Sequence, residues 1–391
     1  MKISDTFDIV VIGGGPAGSM AALKAAGMGM SVLLAERDNV IGSPVRCAEG
    51  VEHNGLTEFF EPDPKWISSV ISGYSLIAPD GTAVDVHVDD KGYILERTVF
   101  DRMIAERAAA EGANIMTGTE ATGMSGFEDG VRTVDLVSGT RSWSVKARTV
   151  VAADGVETSA ARWAGLKTCT ALHDMDTCAQ VLAAGIDVDP HKFRMYFSSE
   201  FAPGGYAWVF PKGPDTANIG IGISGDNADE KSPVRHLDEF LAHYFPGVSI
   251  AGRTYGGISC SGGIDKLVAD GLMVAGDAAH FAHPLTGAGI VNAMISGKLA
   301  AETAYDALKK GNAEESALKA YSKRCDARIG KINRMIYRIK EGIFSIPDAK
   351  MNDIAHGIKK LSPEKQTPSR ILRTSFVKQP ALLRLLPKLL F

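Results

Sequence analysis

Phe7-Asp8-Ile9-Val10-Val11-Ile12-Gly13-Gly14-Gly15-Pro16-Ala17-Gly18 is the stretch on which the fold turns. Its first six residues are an apolar run with β-branched members, which predicts a buried strand ending at a glycine cluster. Small helix-forming residues follow from Ser19 to Met28, and Ser31 to Ala35 supplies a second apolar run. Strand, tight turn, helix and strand within about thirty residues make a βαβ unit, which only a parallel sheet accommodates. Gly13, Gly15 and Gly18 satisfy G-x-G-x-x-G between that strand and that helix. At such a turn the missing side chains let backbone N–H groups reach a pyrophosphate, and the helix dipole favours its charge. Glu36 ends the second strand eighteen residues past Gly18, where a carboxylate accepts hydrogen bonds from ribose hydroxyls and repels a 2′-phosphate. A Rossmann-type dinucleotide domain follows, and at this step NAD and FAD are equally compatible with it.

Farther along, a helix containing Phe100 to Glu111 leads through Gly112 to a strand at Asn114 to Met116, and Thr149 to Ala152 is another apolar strand ending at Asp154-Gly155. From about 168 to 255 the pattern changes to alternating strands broken by Pro and Gly, clearest at Phe193 to Phe197, Tyr206 to Phe210 and Ala217 to Ile223. Strand and helix signals return at Leu272 to Ala275 and Gly289 to Ala304. The expected architecture is therefore mixed α/β (α+β), with a discontinuous Rossmann-type domain at 1–70, 93–167 and 256–305. An antiparallel-sheet substrate domain at 71–92 and 168–255 is inserted in it, and a helical, basic C-terminal region at 306–391 follows, broken at Pro363, Pro368, Pro380 and Pro387.

Composition agrees with two domains: 391 residues of which 45% are hydrophobic supply more than one core and exclude a disordered or fibrous chain. Met1 to Asp8 lacks the features of a signal peptide, so the expected location is the cell interior. Five cysteines without a C-x-x-C pair fit neither a disulfide framework nor a zinc site, and no metal is expected. Residues 321–391 carry sixteen Lys or Arg against five Asp or Glu, so this end is +11 and the rest −15. A basic end suits an anionic membrane, a nucleic acid or simply a solvated helical face. No apolar run reaches the roughly 18 residues that span a bilayer. The tail from Leu382 to Phe391, apolar with interspersed cations, suits peripheral contact with a membrane or packing on its own domain.

Gly276-Asp277-Ala278-Ala279-His280, followed by Pro284-Leu285-Thr286-Gly287-Ala288-Gly289-Ile290-Val291-Asn292, resembles the second flavin motif of the para-hydroxybenzoate hydroxylase-like flavoproteins. Val151-Ala152-Ala153-Asp154-Gly155 resembles their third. The resemblance implies that the dinucleotide is FAD, with Asp277 on the ribityl chain and the Gly287 to Ile290 stretch beside pyrophosphate and flavin ring. A turn residue after a strand is the plainer account of Asp277. His280 and His283 sit on a His-Pro loop without further ligands, which argues for packing or the flavin edge rather than a metal.

Two more stretches, Pro44-Val45-Arg46-Cys47-Ala48-Glu49-Gly50 and Pro203-Gly204-Gly205-Tyr206-Ala207-Trp208-Val209-Phe210-Pro211, resemble the archaeal geranylgeranyl reductase family, as does Tyr93 to Arg97 with Phe100-Asp101. That family saturates the isoprenoid chains of archaeal membrane lipids, so the implied substrate is a digeranylgeranylglycerophospholipid, with no nucleic acid as partner. Carried over residue by residue, the flavin contacts are Gly13, Gly15, Ala17, Gly18, Glu36, Cys47, Ala48, Gly50, Arg97, Ala121, Asp154, Asp277, Gly287, Gly289 and Ile290. The prenyl cavity falls to Pro203, Tyr206, Trp208, Phe210 and Pro211, and Cys47, Tyr206 and Trp208 are the catalytic candidates. Independently of the resemblance, Tyr206, Trp208 and Phe210 at period two share one strand face and make a flat apolar wall, in a cavity or in an ordinary aromatic core. Cys47 reads either as a flavin-side group or as a small buried hydrophobe.

The implied target is an isolated trisubstituted alkene, on which hydride attack alone leaves an unstabilised carbanion. Hydride delivery coupled to protonation is the expected route, with the ring faces of Tyr206 and Trp208 stabilising developing positive charge. Cys47 and a bound water are both open as proton source. In the absence of a second G-x-G-x-x-G domain, ferredoxin, a deazaflavin and NAD(P)H are all open as electron donor. A flavin monooxygenase of a small aromatic shares the flavin motifs but does not require Cys47-x-x-Gly50 or the aromatic wall, and a flavin-bearing redox or lipid-binding protein without turnover is a third reading. The expected location is cytoplasmic, with peripheral contact at the inner face of the membrane.

Overall fold

The computed structural model describes residues 6–362, 366–367 and 374. The chain divides into two compact units: Met1–Val45, Arg97–Thr170 and Ser261–Arg334 form the first, and Arg46–Glu96, Ala171–Cys260 and the chain from Met335 onward form the second.

In the first unit the strand Thr6–Ile12, the helix Pro16–Gly27 and the strand Val32–Ala35 build the expected βαβ unit. Thr6–Ile12 runs parallel between Val32–Ala35 and Arg141–Ala152, with Val10 opposite both Leu33 and Val150. Asn114–Met116 and Leu272–Val274 extend the parallel sheet on either side. Ile9, Val10 and Val11 are fully buried, as a strand covered on both faces requires, which is why its sequence is continuously apolar. Arg141–Ala152 begins well before Thr149 because its first half also pairs antiparallel with Arg132–Ser138, which in turn pairs with Glu120–Met124. The helix Ile290–Lys309 crosses the first helix at Gly297, where a Cβ would stand 2.0 Å from the Ala17 carbonyl oxygen.

The second unit is one eight-stranded sheet in the order Ser249–Ser259, Met175–Ala184, Thr216–Ser224, Tyr206–Pro211, Lys192–Tyr196, Ile67–Ile77, Ala83–Leu95 and Gly50–Glu52. Its pairings are antiparallel except that between Lys192–Tyr196 and Ile67–Ile77, which is parallel. One face packs Ala179, Val181, Ala207, Val209, Ile219 and Ile221 against Leu237, Phe240 and Leu241 of the helix Pro233–Tyr244.

The domain boundaries differ from those expected. Residues 46–70 and 93–96 fall in the second unit because Gly50–Glu52 pairs with Gly92 to Ile94, and Ile67–Ile77 makes a hairpin with Ala83–Leu95. No separate C-terminal region forms among the described residues. The helix Glu315–Cys325 belongs to the first unit, burying Leu318 and Tyr321 and donating the Tyr321 hydroxyl to the Val274 carbonyl at 2.7 Å. Asp348–Lys359 belongs to the second, with Ile354, Ala355 and Ile358 packed on Val84 and Val86. Pro363, Pro368, Pro380, Pro387 and the tail 382–391 lie outside the described residues. No helix among the described residues is long and apolar enough to cross a membrane.

Candidate functional site

Within the first unit, the glycines of the turn divide by what surrounds them. A Cβ at Gly13, whose φ is +102°, would stand 2.3 Å from the Ala153 carbonyl oxygen, and one at Gly18 would stand 1.9 Å from that of Gly13. Both positions are glycine for the fold's own sake. At Gly15, the residue before the helix Pro16–Gly27, a Cβ would meet nothing within 4 Å. Protein packing leaves that place free, which fits close approach of a pyrophosphate to the helix N-terminus. Glu36 accepts a 2.6 Å hydrogen bond from Gly14 N and a 2.8 Å bond from Asp38 N. The carboxylate is thereby fixed against the turn. Ala17 is buried, and a Cβ at Gly276 would stand 2.9 Å from the Ala17 Cβ.

Asp154 Oδ2 accepts from Ala160 N at 2.9 Å, while the buried Oδ1 has no hydrogen-bond partner among the described residues. Burial raises its carboxyl above the usual carboxylate range, opposed by the backbone N–H of Ala160. Asp277, in the 3₁₀ turn Gly276–Ala279, is likewise raised by burial and held down by the charge of Arg97. A Cβ at Gly289 would lie 3.1 Å from Asp277 Oδ1, so this glycine keeps the carboxylate open at the start of the helix that Ile290 begins. Arg97 grips Asp101 through two bonds of 2.7 and 2.6 Å. Ala121 lies opposite Leu136 in the antiparallel meander rather than among the parallel strands. An orphaned buried oxygen at Asp154, the space at Gly15 and the carboxylate of Asp277 together fit FAD, whose hydroxyls are donors and whose pyrophosphate is anionic.

The two histidines are engaged by protein. His280 hydrogen-bonds with Ser261 Oγ at 3.1 Å and Thr170 Oγ1 at 3.3 Å. His283 Nδ1 accepts from Thr286 N at 3.2 Å, and burial lowers its pKa. Among the described residues no His, Cys, Asp and Glu cluster could hold a metal ion.

Strand register builds the site of the second unit. Residues directly opposite in an antiparallel pair share a face, so the face turned away from the core carries two rows across three strands: Tyr206–Gly222–Cys178 and Trp208–Gly220–Gln180. A Cβ at Gly220 would stand 2.3 Å from Trp208 Cζ2. The indole therefore lies over the glycine, and Nε1 donates to Gln180 Oε1 at 3.0 Å on the strand beyond. That reach of two strand spacings is about 10 Å. Tyr206 meets Trp208 edge to face, with ring centroids 5.9 Å apart and planes inclined by 62°. The three rings share one face as expected, but they do not form a flat wall. Phe210 packs instead with Phe193 at 4.9 Å, and Phe193 stacks on Tyr74. Pro203 accepts from Ser224 N at 3.2 Å through its carbonyl, and Pro211 is buried opposite Ala217.

Across this face runs the segment from Arg46 to Gly50. Gln180 Nε2 donates to the Cys47 carbonyl at 3.0 Å, and the Cys47 Sγ accepts from Glu49 N at 3.2 Å. Glu49, 2% exposed and with φ of +72°, receives Asn218 Nδ2 and Lys212 Nζ, each at 2.6 Å. Lys212 also pairs with Glu96 at 2.9 Å. Gly50 lies against the Phe210 ring, which a Cβ would approach to 2.9 Å. Cys47 and Trp208 thus share one partner, Gln180. Burial raises the pKa of Tyr206, and the charges of Cys260, Cys178, Asp176 and Cys47 add to the rise. Gln180, Glu49, Lys212, Asn218, Gly220 and Gly222 were not among the residues expected from sequence. The signal for the glycines is their alternation in a strand that follows a strand with aromatics at the same period.

Fold and site together define an FAD-dependent oxidoreductase. The family model described as FAD dependent oxidoreductase matches residues 8–196, and that described as geranylgeranyl reductase catalytic domain matches 174–256. The chain is 40% identical to a digeranylgeranylglycerophospholipid reductase of Methanocella arvoryzae over 385 residues, covering 97% of each. It is 42% identical to the one of Methanosphaerula palustris over 386 residues, 96% of each. The chain belongs to the digeranylgeranylglycerophospholipid reductase family. Among solved structures, a geranylgeranyl bacteriochlorophyll reductase-like protein of Thermoplasma acidophilum superimposes with a TM-score of 0.92 at 31% identity, over 98% of this chain and 99% of that one. A p-nitrophenol 4-monooxygenase of Pseudomonas putida, TM-score 0.74 at 17% identity over 97% and 99%, shares the fold.

Proposed function

We propose that this chain uses FAD to saturate the geranylgeranyl double bonds of archaeal digeranylgeranylglycerophospholipids. The observation that carries the reading is that the matched reductase segment, residues 174–256, contains the strands that join Trp208 to Gln180, the residue that also donates to the Cys47 carbonyl. In the first unit, Gly13, Gly15, Ala17 and Gly18 would take the pyrophosphate, with Glu36 at the adenosine ribose. Asp154, Asp277, Gly287, Gly289 and Ile290 would take the ribityl and flavin end, with Arg97 and Ala121 as further contacts. Cys47, Ala48 and Gly50 complete the proposed flavin set. Bound FAD supplies hydride chemistry once reduced.

The chain's own residues bind and orient the alkene. Pro203, Tyr206, Trp208, Phe210 and Pro211 would line the prenyl site, and Gly220 leaves room for the indole to lie down and offer its other face. An isolated trisubstituted alkene accepts hydride only if a proton reaches its other carbon in the same process. Positive charge then develops on the substituted carbon, and the faces of Tyr206 and Trp208 stabilise it by about 1–2 kcal/mol when dry. Gln180 fixes Trp208 for that role, and its second hydrogen bond sets the Cys47 segment on the same frame. Ferredoxin, a deazaflavin or NAD(P)H serves as electron donor, and contact with the cytoplasmic face of the membrane delivers the lipid.

The test is anaerobic. Holoprotein reduced with dithionite is mixed with digeranylgeranyl phospholipid, and product mass should rise in steps of two hydrogens. Hydroxylated product on admitting oxygen, without such steps, would overturn the reading in favour of a monooxygenase.

A further inference from the structure

On the face that carries Trp208, Tyr206 and the Gly220–Gly222 rows, the strand Met175–Ala184 presents Asp176, Cys178 and Gln180 at alternate positions, with Asp176 opposite Ser224 and Ile258. Gln180 and Cys178 are accounted for as neighbours of Trp208 and Tyr206. Asp176 follows them on that face with its side chain 13% exposed, and no donor among the described residues comes within 3.5 Å of its Oδ1. Lys340, 3% exposed, stands 3.7 Å from that oxygen and donates to the Cys260 carbonyl at 3.3 Å. The Cys260 thiol and the Lys340 cation both bear on this carboxyl, so a charge-paired acid with one oxygen left without a close donor stands on the face where the alkene is proposed to lie.

We propose that Asp176 is the proton donor to the alkene, with Lys340 as the positioning residue that holds the carboxylate left behind. The inference rests on the reductase reading above. In the step, the Asp176 O–H bond breaks and its proton forms a C–H bond at one alkene carbon. The other hydrogen arrives as hydride, with both electrons, from reduced flavin, which is oxidised. The carboxylate then takes a proton from water. The electrostatics suit an acid near neutrality. Burial pushes the Asp176 carboxyl up to about 6, opposed by the Lys340 charge and the Cys260 thiol and assisted by Asp174. The groups around it are Cys178 on its own strand, Tyr206 on the aromatic strand, Cys260 and Lys340, and then Asp174 with its neighbours His173 and Tyr337. Cys260 and Tyr206 are driven further toward their neutral forms by burial, so the Asp176 carboxyl is a stronger acid than that thiol or that phenol.

Three measurements test it on the holoprotein. Infrared titration should show a protonated-carboxyl band disappearing as pH rises through about 6, absent in Asp176→Asn; a band unaffected by the substitution overturns the proposal whether or not the protein reduces lipid. In single turnover after dithionite reduction, Asp176→Asn should lose about a hundredfold or more in lipid reduction with flavin content unchanged. Wild-type saturation of the lipid with an equally fast Asp176→Asn would sink Asp176 and leave the reductase reading standing; a wild type that saturates nothing would sink that reading instead. Lys340→Gln removes the cation and should move the alkaline limb of the rate profile up by about one pH unit. An unmoved limb counts against the pair.

Discussion

Replacing Gly220 by alanine puts a methyl group into the row Trp208–Gly220–Gln180. The added carbon would stand 2.3 Å from Cζ2 and 2.4 Å from Cε2 of the indole, where ordinary contact is about 3.5–4.0 Å. The strand cannot retreat, because Thr216–Ser224 is paired on both sides, with Met175–Ala184 and with Tyr206–Pro211. The ring must lift, and lifting breaks the 3.0 Å bond from Trp208 Nε1 to Gln180 Oε1. Overpacking of this kind costs about 1–3 kcal/mol, and a buried hydrogen bond lost with its partners unsatisfied adds about 1–3 kcal/mol. Removing a glycine from the unfolded chain returns about 0.4–1 kcal/mol. The expected net loss is about 3 kcal/mol, the middle of those ranges. Urea unfolding followed by circular dichroism would measure it in the wild type, Gly220→Ala, Trp208→Ala and the double variant. In the Trp208→Ala background the methyl meets no ring, so its cost should vanish and the coupling should account for nearly all of the loss. A loss of equal size in both backgrounds, or none in the wild type, would refute the reasoning.

Gly15→Ala should leave stability within about 0.5 kcal/mol, as a substitution that touches nothing does, yet weaken FAD binding about tenfold, or 1.4 kcal/mol. Flavin absorbance per protein after dialysis reports it, and full flavin retention would contradict a pyrophosphate at that glycine. Lys212→Met removes the cation that pairs with buried Glu49 and should destabilise by about 3–5 kcal/mol, less whatever Asn218 retains; protease sensitivity of the 46–50 segment should rise with it. For Asp176 the sign of the pH dependence follows from a folded-state pKa raised to about 6 from the ordinary 3.8 of an aspartate. The folded state binds the proton more tightly, so the carboxyl's contribution is present in full below about pH 4 and is lost as pH rises through about 6. Melting temperatures of Asp176→Asn and wild type should therefore diverge in favour of the variant above pH 6, and converge below pH 4.

Local sequence was enough wherever the physics is local. Phe7 to Gly18 is read within one turn of chain, since a strand, a positive-φ glycine and a helix start need only neighbouring residues, and Gly13 at φ +102° meets that need. Period two likewise placed Tyr206, Trp208 and Phe210 on one face, because strand parity is fixed by the backbone. Resemblance added the family, which no periodicity contains. Parity, however, does not say which distant strand lies opposite. Glu49 meets Lys212 across 163 residues, and Cys47 meets Gln180 across 133. Only the register of Met175–Ala184, Thr216–Ser224 and Tyr206–Pro211 sets Gly220 beneath the indole and Gln180 at its far edge. Register depends on the core face and on every pairing in the sheet at once. The sequence by itself thus determined the nucleotide turn and which aromatic residues share a face. Tertiary pairing alone decided that the indole lies over a glycine, that Phe210 packs elsewhere, and that a half-buried aspartate shares their face.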